Sequence, residues 1–245
     1  MSVKKELITK AKIDLTAALR WADRLGLSEG ICNHFSLSHP DTQGLFLLNP
    51  QGLHWSEITA SDIITVDQAG NLVEGKWKAE PTAFFIHSKI HMINPKAKCV
   101  LHTHMPYTTA LCSLENGCLK WISQNALRFY DNVAYEKEYN GLALDDDEGN
   151  RIAQKLKDKT VLFLSNHGVI VTGPDVATTF DDLYYLERAS MIQVLAQSTG
   201  AALKYIPADI CQRTQVQIEE ERQQSHLHLE AIKRILKKEC PEFVK

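Results

Sequence analysis

The run Cys99-Val-Leu-His-Thr-His104 constrains this chain more than any other stretch. Its apolar lead-in reads as a β-strand. Successive strand side chains point to opposite faces, so His102 and His104 share one face. Two imidazoles on one side of a rigid strand make half of a divalent-metal site. A third candidate, His167, interrupts the apolar, β-rich run Val161–Thr172 and is followed by Gly168. The rest of the chain reads as the scaffold that brings these three histidines together as metal ligands.

A length of 245 residues fits one large α/β domain or two small ones. No Pro/Gly/Ser linker or internal repeat marks a boundary. Lys+Arg 27 against Asp+Glu 30 gives a net charge of −3. That balance gives no bulk electrostatic pull toward nucleic acid or an anionic membrane surface. No apolar run approaches the ~20 residues that span a bilayer. The N-terminus leads into an amphipathic segment instead of a signal-peptide core, so the expected compartment is the cytoplasm. Six cysteines lack any C-x-x-C pair and read as free thiols.

Taken in order, residues 5–25 carry apolar side chains at helical spacing up to Gly26. A loop with two glycines leads to a strand around Phe35 and Leu37. Strands follow at 44–50 and 62–67, the second with a hairpin turn at 68–71. Pro81 opens a buried helix in its favoured first-turn position. That helix carries His87 and His91 at i, i+4, without the H-E-x-x-H pattern, and both read as structural. Pro106 opens a short helix, and Val133-Ala134 reads as a strand. Asp145–Glu148 lacks the spacing of a calcium loop and instead opens a helix to Lys157. Strands 161–165 and 169–172 flank His167, and a long helix runs from Gly173-Pro174-Asp175 to about Thr199. Segment 215–238 reads as one charged helix with a narrow apolar stripe. The expected division is a domain over 1–210 and a helical tail over 211–245, packing on the domain or on a neighbouring subunit.

The motifs Ile31-Cys-Asn-His-Phe-Ser36, Leu48-Asn-Pro-Gln-Gly52, Phe85-Ile-His-Ser88, Val100-Leu-His-Thr-His104, Ser123–Tyr130, Ser165-Asn-His-Gly168 and Tyr185-Leu-Glu-Arg-Ala189 occur in one order over residues 10–200. In this the chain resembles the class II aldolase/adducin family, and more closely its adducin-like bacterial branch. It is similar to L-fuculose-phosphate-type aldolases more distantly. The resemblance implies an α/β/α three-layer fold around a mostly antiparallel sheet. The residue pattern alone also allows a parallel, doubly wound sheet. The resemblance further implies a homotetramer with active sites at subunit interfaces. It carries the metal ligands onto His102, His104 and His167, with zinc the usual ion and manganese, iron or cobalt in some branches.

The sugar-phosphate aldolases place an acid/base glutamate four residues before the histidine matching His87, and here that position is Ala83. Glu80 stands about one helical turn earlier. The phosphate-binding Gly-Asn aligns with Cys32-Asn33 and the paired serines with Pro81-Thr82, so half of each is kept. The expected substrate-binding residues are Asn33, Gln51, Gly52, Thr82, Gln124 and Arg128, with Arg128 suited to hold a carboxylate. His34 is the expected acid/base, and Glu80 is a second catalytic candidate. The expected function is a metal-dependent lyase that polarises a carbonyl and cleaves a C–C bond of a small hydroxy or keto compound, by aldol cleavage or decarboxylation. The alternative is a non-catalytic, adducin-like interaction module. The two differ in whether the purified protein holds a metal.

Overall fold

The computed structural model describes residues 3–245. Helix α1 (Val3–Arg24) buries Leu15, Ala18, Leu19 and Ala22 completely. It stops before Gly26, whose φ of +69° suits a residue without a Cβ. Strands β1 (His34–Ser38), β2 (Leu45–Leu48), β3 (Ile64–Asp67) and β4 (Leu72–Glu74) follow as a meander. Helix α2 (Pro81–Ile93) starts where the sequence placed it, with Pro81 in the first turn. The carboxylate of Glu80 caps that turn by accepting the Ala83 N–H at 2.7 Å.

Next come β5 (Cys99–Thr103), α3 (Pro106–Cys112), α4 (Gln124–Leu127), β6 (Val133–Glu136) and α5 (Asp146–Leu156). Asp145 caps α5 through the Glu148 N–H, so the acidic run is a helix start. Strands β7 (Val161–Leu164) and β8 (Gly168–Gly173) flank His167, and α6 (Val176–Ser198), α7 (Ala208–Glu220) and α8 (Gln223–Glu239) complete the chain. The eight strands form one sheet in the order β4-β3-β2-β1-β5-β8-β7-β6. Every pairing is antiparallel except β6 with β7. The architecture is the expected α/β fold with helices on both faces of a mostly antiparallel sheet.

Strand alternation sorts the two faces. Cys99 and Leu101 of β5 and Val169 and Val171 of β8 join a core with α1, α6 and α8. Val100 of β5 and Ile170 of β8 point the other way, into a core with Ile86 and Ile90 of α2 and Ile152 and Leu156 of α5. His102 follows Val100 at a spacing of two and faces the α2 side. In β1, His34 pairs with His102 and Ser36 with Val100, so His34 and Ser36 share that side. The functional groups thus lie on the thinner helical layer, away from the largest core.

The C-terminal segment differs from the single expected helix: it is two helices, broken at Glu221-Arg222, where the sequence has neither glycine nor proline. Its Leu229, Ile232, Leu236 and Phe243 pack into the same core as α1 and α6. All six cysteines are free thiols. Among the described residues no helix is long and apolar enough to cross a membrane.

Candidate metal centre

His102 is the penultimate residue of β5, His104 follows directly after the strand, and His167 lies in the turn between β7 and β8. Pairing of β5 with β8 brings the three together. One ligand atom from each lies within 4.8 Å of the others. The Nδ1 of His102 donates to the Val169 carbonyl at 3.0 Å, which leaves Nε2 as the unprotonated ring nitrogen. The Nε2 of His104 is buried with no hydrogen-bond partner. A buried ring nitrogen without a partner is costly unless a ligand completes it. Three neutral imidazoles with free nitrogens converging on one point fit a divalent transition metal such as zinc. On this ground the residues present fit the ion that the sequence implied.

Burial keeps these rings neutral. The His102 pKa lies well below its ordinary value, through burial first and then the neighbouring His167, His34 and His104. His167 is pushed down to about 4 by burial and by His104. Neutral imidazole is the form that binds metal. Glu29 lies 3.8 Å from His104 Nδ1 and opposes the lowering of its pKa.

Gly168 is required for a close approach. A Cβ there would sit 2.5 Å from the Thr103 carbonyl oxygen and 2.8 Å from Cδ2 of His104. The backbone oxygen cannot move aside without disturbing β5. We predict that Gly168→Ala costs about 1–3 kcal/mol of stability by overpacking. Metal affinity, read by competition with a chromophoric chelator, should fall about 10–100-fold because His104 is displaced.

A second set of polar side chains adjoins the triad. The His34 ring is 4.9 Å from that of His102, and its Nδ1 is 2.9 Å from Nε2 of His87. His87 Nδ1 is 2.5 Å from Ser36 Oγ, which is 2.7 Å from His91 Nε2. His91 Nδ1 donates to the Ala97 carbonyl at 2.7 Å. The sequence reading missed this set by treating His87 and His91 as unrelated to the site. The signal was present: His34 and Ser36 at a strand spacing of two, and His87 and His91 at a helical spacing of four. What the sequence lacked was the crossing of α2 over β1.

These buried histidines set a pH dependence. Burial pushes His91 down to about 4, against the opposing hydrogen bond to Ala97. An unfolded histidine takes its proton near pH 6.5, so below that pH the unfolded chain binds more protons and the fold loses stability. For His91 alone the loss between pH 6.5 and about 4 is on the order of 3 kcal/mol. We predict that metal-free protein shows a falling urea midpoint over this window, and that His91→Phe flattens part of the fall.

Comparison with known proteins follows the same direction. Residues 13–194 match the model of the Class II Aldolase and Adducin N-terminal domain. The chain belongs to the class II aldolase/adducin family. A Pseudomonas aeruginosa protein assigned by name to the class 2 aldolases is 36% identical over 202 residues, which is 82% of this chain and 77% of that protein. The decarboxylase NovR of Streptomyces niveus is 30% identical over 199 residues, 80% of this chain and 73% of its own. The crystal structure of an aldolase II superfamily protein from Pseudomonas syringae superposes with a TM-score of 0.88 at 32% identity, covering 98% of this chain and 96% of that one.

Within this family fold the expected site residues separate into two groups. Asn33, His34, Glu80 and Thr82 gather at the triad. Asn33, at φ +74°, accepts the His104 N–H on Oδ1 at 3.3 Å, and its Nδ2 is buried without a partner. His34 Nε2 is 3.5 Å from Thr82 Oγ1 and 3.8 Å from Glu80 Oε2, and Thr82 also donates to Glu80. Ala83, at the aldolase glutamate position, is fully buried against Phe46, Leu48, Ile64 and Val66. The methyl group of Ala83 thus packs among apolar side chains.

The second group stands apart. Gln51 and Gly52 form an exposed turn, held by the Gln51 N–H on the Lys78 carbonyl, with Gly52 at φ +87°. Gln124 is exposed at the start of α4. Arg128 is engaged internally. Its Nη1 donates to Asp181 at 2.8 Å and Asp182 at 2.9 Å, and the guanidinium stacks 4.3 Å over Tyr185. That ion pair gives Arg128 a structural role that competes with the carboxylate clamp expected of it.

Proposed function

We propose that this protein is a metal-dependent lyase that cleaves a C–C bond of a small hydroxy or keto compound. The observation that carries this reading is the convergence of His102, His104 and His167, with one ligand atom each within 4.8 Å and the His104 Nε2 buried and unpartnered. These three would hold the ion, and the all-imidazole donor set favours zinc over harder ions, with manganese, iron or cobalt as alternatives. Bound there, a divalent ion supplies Lewis-acid polarisation of a substrate carbonyl or adjacent hydroxyl.

The chain's own residues supply the rest. His34 Nε2, beside Thr82 and Glu80, is placed to take a substrate proton. The free Nδ2 of Asn33 is a donor suited to a substrate oxygen. Decarboxylation needs less proton transfer than aldol cleavage, because carbon dioxide leaves without a proton. The absence of a carboxylate at Ala83 and the likeness to NovR both support decarboxylation alongside retro-aldol chemistry.

The protein is taken to act as a homotetramer in the reducing cytoplasm, in keeping with its family and its free thiols. The exposed Tyr139 has its ring 6.3 Å from His167, and Leu142 and Leu144 of the same loop are exposed, so a neighbouring chain has apolar surface to cover here. The deciding experiment offers zinc-, manganese- or iron-loaded protein a panel of hydroxy- and keto-acids and sugar phosphates. Carbon dioxide and aldehyde release are followed separately. Release that stops on chelation and returns with metal supports the lyase. No turnover by protein that also takes up no metal would move the assignment to an adducin-like interaction module.

A further inference from the structure

The set Ala97–His91–Ser36–His87–His34 has four hydrogen-bonded links. Three neutral imidazoles and one hydroxyl carry four protons between them, one for each link. At the near end His34 Nε2 faces two acceptors, Thr82 Oγ1 at 3.5 Å and Glu80 Oε2 at 3.8 Å, contacts too long to hold a proton against the 2.7 Å contact at the far end, which therefore sets the direction of the chain. The Ala97 carbonyl, 2.7 Å from His91 Nδ1, can only accept, so His91 carries its proton there, and Ser38 Oγ at 3.2 Å takes the longer branch of the same bond. Its Nε2 is therefore an acceptor, and the Ser36 hydroxyl donates to it at 2.7 Å. Ser36, with its hydrogen committed, accepts from Nδ1 of His87 at 2.5 Å. His87 Nε2 is left bare and accepts from Nδ1 of His34 at 2.9 Å.

We propose that His91, Ser36 and His87 are positioning residues that lock His34 as its Nδ1–H tautomer and so present a bare Nε2 beside the metal centre. The inference rests on the lyase reading for its purpose but not for its test. Reversing the chain would turn the lone pair of His91 Nδ1 onto the Ala97 carbonyl, two acceptors at 2.7 Å. His34 is thus held the way a base is held by a chain of buried partners in a catalytic triad, with a backbone carbonyl in place of the terminal carboxylate. The surroundings fix the geometry as well. His34, Ser36, His87 and His91 are all buried, and Phe46 stacks on the His91 ring at 4.8 Å and 12°.

The test is nitrogen-15 NMR of the histidine rings in the metal-free full-length protein at neutral pH, with the two ring nitrogens of each residue assigned. The expected result is a single Nδ1–H tautomer for His34, His87 and His91, with Nε2 bare in each. His34 protonated on Nε2, or on both nitrogens, overturns the proposal. In His91→Phe the ring stack on Phe46 is retained but the anchor is gone, so Ser36 is free to donate toward His87. The His34 nitrogens should then shift toward a mixture of both tautomers. Ser36→Ala cuts the same chain one link closer and should give the same shift. A His34 tautomer unchanged in whichever of the two variants folds also overturns it. Failure of the function reading appears elsewhere, as absent metal uptake with the tautomers still ordered.

Discussion

Protein in which His102 and His104 are both replaced by alanine should bind essentially no divalent metal, where the unaltered chain binds about one ion per subunit. Zinc sites with four protein ligands hold about 10–16 kcal/mol at neutral pH, or roughly 2.5–4 kcal/mol per ligand. Losing two of three ligands therefore costs roughly 5–8 kcal/mol, which is about four to six decades of affinity. Lyase turnover should fall at least about 10³-fold, since loss of even one preorganised donor costs about 10²–10³. The fold should persist. The local losses are the hydrogen bond from His102 to the Val169 carbonyl, worth about 1–3 kcal/mol when its partner is left buried, and the packing of the buried His102 ring. Metal analysis of both proteins, purified without tag or chelator, is paired with circular dichroism. Full metal content in the double variant, or none in the unaltered protein after zinc, manganese and iron have been offered, would remove the basis for the lyase assignment.

The triad was legible because its signals are local. The i, i+2 histidines sit at the end of a five-residue strand, His102 within it and His104 just beyond, and His167 sits in the break between two apolar strands. Helix starts at Pro81 and Asp145 were legible for the same reason, since capping chemistry acts within one turn. The residue pattern did not decide strand direction, because fully buried strands such as β5 and β7 read as continuous apolar runs in either kind of sheet. The family resemblance supplied that. Glu80 was read as a catalytic candidate when its nearest partners are the Ala83 N–H and Thr82, and it is both a helix cap and a neighbour of His34. The histidine chain behind His34 was hidden because it joins residues 51–55 positions apart. Only the packing of α2 on β1 creates it.

Arg128 shows the same limit with the largest consequence for stability. Its carboxylate partners lie 53 and 54 residues away on α6, and nothing near Arg128 in sequence announces them. Asp181 also accepts from Ser225 and His228 of α8, both at 2.8 Å, and Asp182 from Arg222 at 2.6 Å. The cluster therefore ties α4, α6 and α8 around two carboxylates and two guanidinium groups whose charges cancel. Burial raises the pKa of Asp182 against the pull of Arg222 and Arg128. Burial also acts to raise that of Asp181, but His228, Arg128 and Ser225 outweigh it and the pKa is lowered. The raised group favours the fold at low pH and the lowered one at higher pH, so the pair gives no single pH trend. Removing one cation is different. Arg128→Met leaves buried negative charge short of a partner, which costs about 3–5 kcal/mol. For a chain of this size that is a fall in Tm of about 6–20 °C. Metal content should not change. If Arg128 instead held a substrate carboxylate, the variant would keep its Tm and raise KM. A Tm within about 2 °C of the unaltered protein, less than 1 kcal/mol, would therefore return Arg128 to the substrate site.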